Sequence, residues 1–384
     1  MSSDKAFKHQ FNTKSVTELV QNVLKTAQLR PKQREEAASA ACAPLKELEL
    51  KDRVRHVSGV LSDYLPSDFE QASQVLLRSL PPAQTDDSAL TAGIHLWPLC
   101  TYVERYGLEQ PEVALNTLHA LTQRFSCEFA IRPYIERYPS LAYERLMKWC
   151  RDPNLHVRRL ASEGSRPRLP WGLRLQALVK DPAPSLPLLN ALKADPEVYV
   201  RRSVANHLND ISKDHPSVAV ETARTWIAEA TSKSPGKAQL NQAPKALQQL
   251  VRRGLRGLVK AGDPETLSLF GYQKPALKQC ALHLAPQELG WEAELEATLT
   301  FTSASNQSLL IDYAVHYQRA NGELSPKVFK WTTLEARSGE ETELVKRHPF
   351  RSVTTRKHYP GAHAFEVFIN GQSVATQPFV LSKK

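Results

Sequence analysis

The chain has 384 residues, 41% of them apolar and 23% charged, with 50 Lys and Arg against 40 Asp and Glu and a formal charge of +10. This is the balance of a soluble globular protein of two or three domains, not of a disordered or fibrous one. No apolar run reaches the roughly 18 residues that a membrane span needs, and the N-terminal segment MSSDKAFKHQFNTKSV lacks the apolar centre of a signal peptide, so a cytoplasmic protein with no membrane partner is expected.

The positive excess permits a polyanionic partner such as nucleic acid. The five cysteines, at 42, 100, 127, 150 and 280, form no C-x-x-C pair and are odd in number, which reads as free thiols.

In chain order, Asn12 or Thr13 can cap a helix whose apolar face is Val16, Leu19, Val20, Val23 and Leu24. Pro31 interrupts. Helices are predicted at about 33–48, 50–65 and 67–80, with a loop at 81–89. Helical periodicity continues from about 90 to 284, punctuated by Asp-Pro pairs at 152, 181, 195 and 263. Two of these open matching lines, DPNLHVRRLASE and DPEVYVRRSVAN. Their starts at 152 and 195 are 43 residues apart, within the roughly 40–47-residue period of HEAT-like repeats. In each, Asp is expected to cap the helix and Pro to take its first turn. The expected fold is mainly α, a HEAT-like α-solenoid.

Near Pro286 the period changes to alternation, in LEATLTFT (295–302), LLIDYAVHYQ (309–318), KVFKWT (327–332), FRSVTT (350–355), AFEVFIN (364–370) and SVATQPFVL (373–381). Asn321-Gly322 and Asn370-Gly371 sit between such runs as hairpin signals. About seven short strands predict an immunoglobulin-like β-sandwich, and Tyr359-Pro360-Gly361 reads as a tyrosine corner. The expected segments are therefore 1–90 (N-terminal helices), 91–285 (repeats) and 286–384 (sandwich). The sandwich carries Lys327, Lys330, Arg337, Lys346, Arg347, Arg351, Arg356 and Lys357, a basic surface.

The stretch Leu155–Trp171 concentrates the chemistry. Val157, Leu160 and Ala161 make one apolar helix face, and Arg159 and Glu163 lie opposite it. Gly164 ends the helix, and Pro167 and Pro170 keep it ended. In the second copy Val200, Ser203 and Val204 take the core places, leaving Arg202, Asn206 and Asp210 on one stripe. Arg124 and Glu128 repeat the spacing earlier. Equivalent faces of successive repeat helices line up, so a groove with Glu128, Glu163 and Asp210 at its floor and arginines around it is expected. Each pair taken alone reads as a surface ion pair worth a few tenths of a kcal/mol, and the functional reading rests on three such pairs on equivalent faces.

SCEFAIRPYI (126–135), RRLASEGSRPRLPW (158–171) and VRRSVANHLNDISKDHP (200–216) resemble signature blocks of the AlkC branch of the HEAT-like alkylation-repair DNA glycosylases, relatives of AlkD. The N-terminal FKHQFN and the C-terminal β region are similar to the same branch. The resemblance implies hydrolysis of the N-glycosidic bond of cationic alkylated bases, 3-methyladenine and 3-methylcytosine, in double-stranded DNA. By that match Asp210 positions water, Glu128 and Glu163 face the cationic nucleotide, and Trp171 packs on deoxyribose or base. Arg159, Arg166, Arg168 and Arg202 are the expected phosphate contacts, and His207 is expected to be structural. The basic sandwich would close on DNA.

No H-E-x-x-H or paired Cys/His spacing points to a metal, and no G-x-x-x-x-G-K-[ST] or G-x-G-x-x-G points to a nucleotide cofactor. No lysine stands out as a Schiff-base nucleophile, although Lys213 lies one turn from Asp210. A monofunctional, monomeric enzyme is expected. The rival reading is a non-catalytic HEAT-repeat nucleic-acid-binding scaffold, since solenoids commonly serve as binding surfaces.

Overall fold

Helices build the first of two units in the computed structural model, which describes residues 7–88, 93–234, 239–351 and 357–382. This unit, Met1–His215, holds α1 (Thr13–Thr26), α2 (Pro31–Cys42), α3 (Leu50–Tyr64), α4 (Phe69–Arg78), α5 (Trp97–Tyr106), α6 (Pro111–Thr122), α7 (Arg132–Arg137), α8 (Pro139–Trp149), α9 (Leu155–Glu163), α10 (Gln176–Lys180), α11 (Leu186–Leu192) and α12 (Val198–Ile211). Asn12 caps α1, and its five predicted apolar positions are buried. α2 stops at Cys42 rather than 48: Ala43 still has helical dihedrals, φ −51° and ψ −50°, but Pro44 has no N–H to continue the ladder. α4 starts at Phe69, where the Asp68 side chain accepts from the Gln71 N–H at 2.9 Å.

The Asp-Pro lines fold alike, but not as caps. Asn154 caps α9, while Asp152 accepts from the Asn154 N–H at 2.8 Å and lies 2.7 Å from His119 Nε2. Asp195 accepts from the Glu197 N–H at 2.9 Å and from Arg158 Nε at 2.7 Å, and α12 begins at Val198. Each Asp thus closes an Asx turn before its helix and meets a side chain of an earlier one. The first arginine of each V-R-R returns to its own Asp-Pro carbonyls: Arg158 to Asp152 and Pro153, both at 3.0 Å, and Arg201 to Asp195 and Pro196 at 2.5 and 2.7 Å.

The second unit, Pro216–Lys384, joins α13 (Pro216–Thr231), α14 (Lys245–Gly254), α15 (Arg256–Ala261) and α16 (Pro264–Leu269) to the strands. The expected breaks at 90 and 285 mark changes of sequence character, whereas compactness changes after His215. Here Asp263 is a true cap, accepting from the Thr266 N–H at 2.8 Å with Pro264 in the first turn. The strands are β1 (Leu277–Ala285), β2 (Glu288–Leu289), β3 (Glu294–Ser303), β4 (Gln307–Gln318), β5 (Leu324–Ala336), β6 (Glu341–Pro349), β7 (Gly361–Ile369) and β8 (Gln372–Leu381). They form sheets of order β1-β3-β6 and β2-β8-β7-β4-β5. Leu299, Phe301, Ile311, Tyr313, Phe365 and Val367 fill the sandwich core.

Three strand readings change. β structure begins at Leu277, before Pro286. β6 was not expected, because ETELVKRHP alternates charge with polarity at a sheet edge and shows no apolar face. The strand expected at 350–355 is replaced by it: Phe350 and Arg351 lie beyond its end, and 352–355 lie outside the described residues, as does Arg356. Asn370-Gly371 is a two-residue turn, φ 46° and 75°, between β7 and β8. Asn321-Gly322 falls in the longer loop between β4 and β5. Tyr359 does not make the tyrosine corner. Its carbonyl lies 3.0 Å from His363 Nε2, and among the described residues its hydroxyl makes no hydrogen bond to the backbone. Among the described residues no helix is long and apolar enough to cross a membrane.

Candidate active site

α9 sets the site because its two faces do different work. Val157, Leu160 and Ala161 are fully buried in the helical core. Gly164 then allows a close approach: a Cβ there would lie 2.5 Å from Ile131 Cγ2. That approach brings the C-terminal end of α9 against the segment carrying Glu128.

Glu128 is not on a helix. α6 ends at Thr122, and 123–131 is a string of turns, so the expected Arg124–Glu128 helical pair does not form. Arg124 points elsewhere, donating to the Pro81 and Ala120 carbonyls at 2.8 and 2.9 Å. The turns are held by buried Cys127, whose N–H donates to Thr122 Oγ1 at 3.2 Å and whose thiol meets Cys100 Sγ at 3.2 Å. Glu128 therefore finds its cation across space, in Arg159.

Six charged groups alternate in sign along one row. Arg159 Nη1 lies 2.7 Å from Glu128 Oε2, and Nη2 lies 3.5 Å from Glu163 Oε1. Arg166 Nη1 donates to that same Glu163 oxygen at 2.7 Å, and its Nε donates to Asp210 Oδ2 at 2.8 Å. Lys213 Nζ reaches Asp210 Oδ1 at 3.0 Å. Hydroxyls complete the set: Ser126 donates to Glu128 at 3.0 Å and Ser203 to Glu163 at 2.6 Å. The Tyr199 ring lies 5.0 Å from the Arg159 guanidinium.

The row is dry. Asp210 is 1% exposed, and Glu163 and Arg166 are also buried. Burial alone would raise the Glu163 carboxyl. Arg159 and Arg166 outweigh it and hold Glu163 below the usual carboxylate range. Burial would likewise weaken the charge on Arg159, but Glu128 and Glu163 reverse that and raise it. His207 packs against the row with Nδ1 3.0 Å from the Ser162 carbonyl, and burial pushes its imidazole down to about 4.

The Gly164–Leu173 loop is tied at both ends by Arg132. This buried guanidinium donates to the Gly164 carbonyl at 2.8 Å and to the Leu173 carbonyl at 2.5 Å, and burial pushes it down to about 10. Within the loop Trp171 has φ of +65°, rare for a bulky residue, with 49% of its surface exposed. Lys51 Nζ donates to its carbonyl at 2.5 Å. Such strain persists only where surroundings impose it, and it clusters at functional sites. Trp171, Phe129, Trp97 and Glu104 line a cavity of about 310 Å³.

The structure therefore brings together Glu128, Glu163, Asp210, Arg159 and Arg166. Arg159 and Arg166 are engaged by carboxylates instead of facing solvent. Arg168 makes a two-pronged pair with Asp214 at 2.7 and 2.6 Å. Arg202 is exposed and makes no ion pair among the described residues. Arg132, Ser126, Ser203 and Lys51 were not foreseen. Ser203 carried a signal, a hydroxyl at the core position that Leu160 fills in the other copy.

A family model described as "Uncharacterised protein YhaZ, C-terminal Ig-like domain" matches residues 276–383. The chain is 37% identical over 327 residues to uncharacterized protein YhaZ of Bacillus subtilis (strain 168), a match covering 85% of each. It is also similar to the solved structure of Pseudomonas fluorescens alkylpurine DNA glycosylase AlkC bound to DNA containing an abasic site analog, with a TM-score of 0.83 and 31% identity over 98% of this chain and 99% of that one. The chain belongs to the AlkC-type family. Its pairing of HEAT-like helices with an Ig-like domain is the AlkC-type architecture, and the Ig-like match opens one residue before β1.

Proposed function

We propose that this chain is a monofunctional DNA glycosylase that hydrolyses the N-glycosidic bond of cationic alkylated bases, 3-methyladenine and 3-methylcytosine, in duplex DNA. The observation that carries the reading is the row, buried at its centre, in which Glu128, Glu163 and Asp210 are each held by a cation. Similarity across the whole chain to a DNA-bound alkylpurine DNA glycosylase supports it.

The chemistry needs little else. A base alkylated on a ring nitrogen is already a positive leaving group, so no general acid is required. As the C1′–N bond lengthens, positive charge moves onto the deoxyribose, where carboxylates stabilise it. Arg166 occupies Asp210 Oδ2, which leaves Oδ1 to work. Its partner Lys213 is 51% exposed and can swing away, freeing Oδ1 to orient the attacking water. A carboxylate about 4 Å from C1′ contributes about 4 kcal/mol at an effective dielectric of about 20. The paired cations reduce this, so loss of the Asp210 charge should cost about two decades in rate.

Glu128 and Glu163 face the cationic nucleotide in this reading, and the exposed Trp171 indole packs on its sugar or base. Arg159 and Arg166 hold the carboxylates ionised and in register. Contacts to phosphate fall to exposed Arg202 and to the N–H groups of Arg168 that remain once its Nε and Nη2 are held by Asp214. The test is chromatography of bases released from methylated duplex DNA. Release of 3-methyladenine and 3-methylcytosine, leaving alkali-labile abasic sites, is expected. Binding of that DNA with no base released would overturn the reading.

A further inference from the structure

The second unit holds a cavity of about 420 Å³ between α14–α16 and the outer face of the five-stranded sheet. β4 creates that face by alternation. Ile311, Tyr313 and Val315 point into the sandwich core, so Leu310 and Asp312 point away from it. Two contacts fix the helices there. Gly262, which ends α15 with φ of +73°, packs so tightly on Gly371 that a Cβ would come within 2.9 Å of its Cα. Asn370 Nδ2 donates to the Gln273 carbonyl at 2.8 Å.

The cavity is unevenly charged. Arg252, Arg256 and Lys260 line it from the helices and Lys330 from β5, against one carboxyl, Asp312. Among the described residues, no carboxylate lies within ion-pair distance of Arg252, Lys260 or Lys330. Arg252 instead lies 5.4 Å from the centre of the Phe270 ring. Arg252, Lys260 and Lys330 share this cavity with no carboxylate at ion-pair distance among the described residues, and like charges held together repel. That arrangement favours an anionic occupant.

Size and lining narrow the choice. The cavity falls within the roughly 300–1,000 Å³ typical of small-molecule sites, more than a bare phosphate fills. Half-buried Tyr272 offers aromatic surface for a planar ring, beside buried Phe270, whose ring Arg252 overlies. Asp312 is half-buried and offers acceptors to N–H donors, and burial pushes its carboxyl up to about 6 against the pull of Lys330 and Lys260. A ligand carrying a phosphate, a flat ring and N–H donors answers all three features.

We propose that this cavity binds a nucleotide, with its phosphate on the Arg252, Arg256, Lys260 and Lys330 charges, its base against Tyr272 beside Phe270, and the N–H edge of that base on Asp312. The nucleotide is either free or part of a DNA strand, and the chemistry is shared. The proposal does not depend on the glycosylase reading, because it concerns unmodified nucleotides and no bond breaks.

The test is calorimetric titration of the full chain at low salt with deoxyguanosine 5′-monophosphate, whose base has two adjacent N–H donors for one carboxylate. Deoxyguanosine and inorganic phosphate serve as separate probes. One saturable site is expected, binding the nucleotide at least tenfold more tightly than either fragment. The double substitution Lys260→Glu, Lys330→Glu should weaken the nucleotide at least tenfold with an unchanged thermal midpoint, since both side chains are exposed. Asp312→Asn should weaken the nucleotide but not phosphate. Absence of binding, equal binding of phosphate, or indifference to the charge reversals would overturn the proposal. An oligonucleotide with one unpaired guanosine then names the source. Displacement of the mononucleotide assigns the site to a strand, and binding without displacement assigns it to free nucleotides.

Discussion

The two Asp-Pro lines start alike and part at one residue. Their first arginines, Arg158 and Arg201, make the same return to their own Asp-Pro carbonyls. Their second arginines do not match. Arg159 is enclosed by Glu128, Glu163 and Tyr199, whereas Arg202 is exposed. Local sequence sets the backbone clamp, which depends only on residues five or six positions apart. The fate of the next side chain depends on what other segments bring across. In the first copy α9's own Glu163 and, from another segment, Glu128 supply carboxylates, and the arginine becomes part of the row.

The sharpest way to break that contrast is to remove a cation from the row. Arg166 alone joins Glu163 to Asp210. Arg166→Leu should lower unfolding free energy by about 3–5 kcal/mol in denaturant titrations, because it takes the shared guanidinium from two buried carboxylates and leaves Asp210 with exposed Lys213 alone. A loss under about 1 kcal/mol would mean the row is wetter and looser than described.

His207 gives the next effect. Folding lowers its imidazole from the ordinary 6.5 to about 4. Below about pH 6.5 the unfolded chain takes up a proton that the folded chain refuses until about pH 4. Stability therefore falls as pH drops through this window, by about 3 kcal/mol for this group. His207→Gln should remove that part of the slope in melts taken from pH 7 to 4, leaving the acid loss from Glu163 in place. An unchanged slope would place the acid sensitivity elsewhere.

The smallest effect on stability belongs to Arg202. Arg202→Ala should change unfolding free energy by no more than about 0.5 kcal/mol. It should lower DNA affinity and reduce the slope of log affinity against log salt by about one. A large loss of stability would erase the distinction between the two second arginines.

Much of this could be read from the residues. The Val157, Leu160, Ala161 face, the 43-residue offset and the acidic trio all appear in the folded chain, since periodicity and repeat spacing are local properties. Three things could not be read. The Arg124–Glu128 spacing suits a helix, but the helix ends at Thr122 and tertiary contacts choose Arg159 instead. Glu163 stands within four residues of Arg159 and Arg166, but the bonds of Arg159 to Glu128, 31 residues away, and of Arg166 to Asp210, 44 residues away, exist only in the folded chain. β6 has no apolar period, because an edge strand needs none on its exposed face.

In the proposed reaction the row stabilises positive charge on the deoxyribose as the base departs, and Asp210 is its most buried carboxylate. The direct measurement is the rate of 3-methyladenine and 3-methylcytosine release from methylated duplex DNA, wild type beside Asp210→Asn, with DNA affinity measured on the same samples. The Asp210→Asn variant should lose about two decades or more in rate with DNA binding retained. Equal rates would contradict it, and would leave the row as structural support alone.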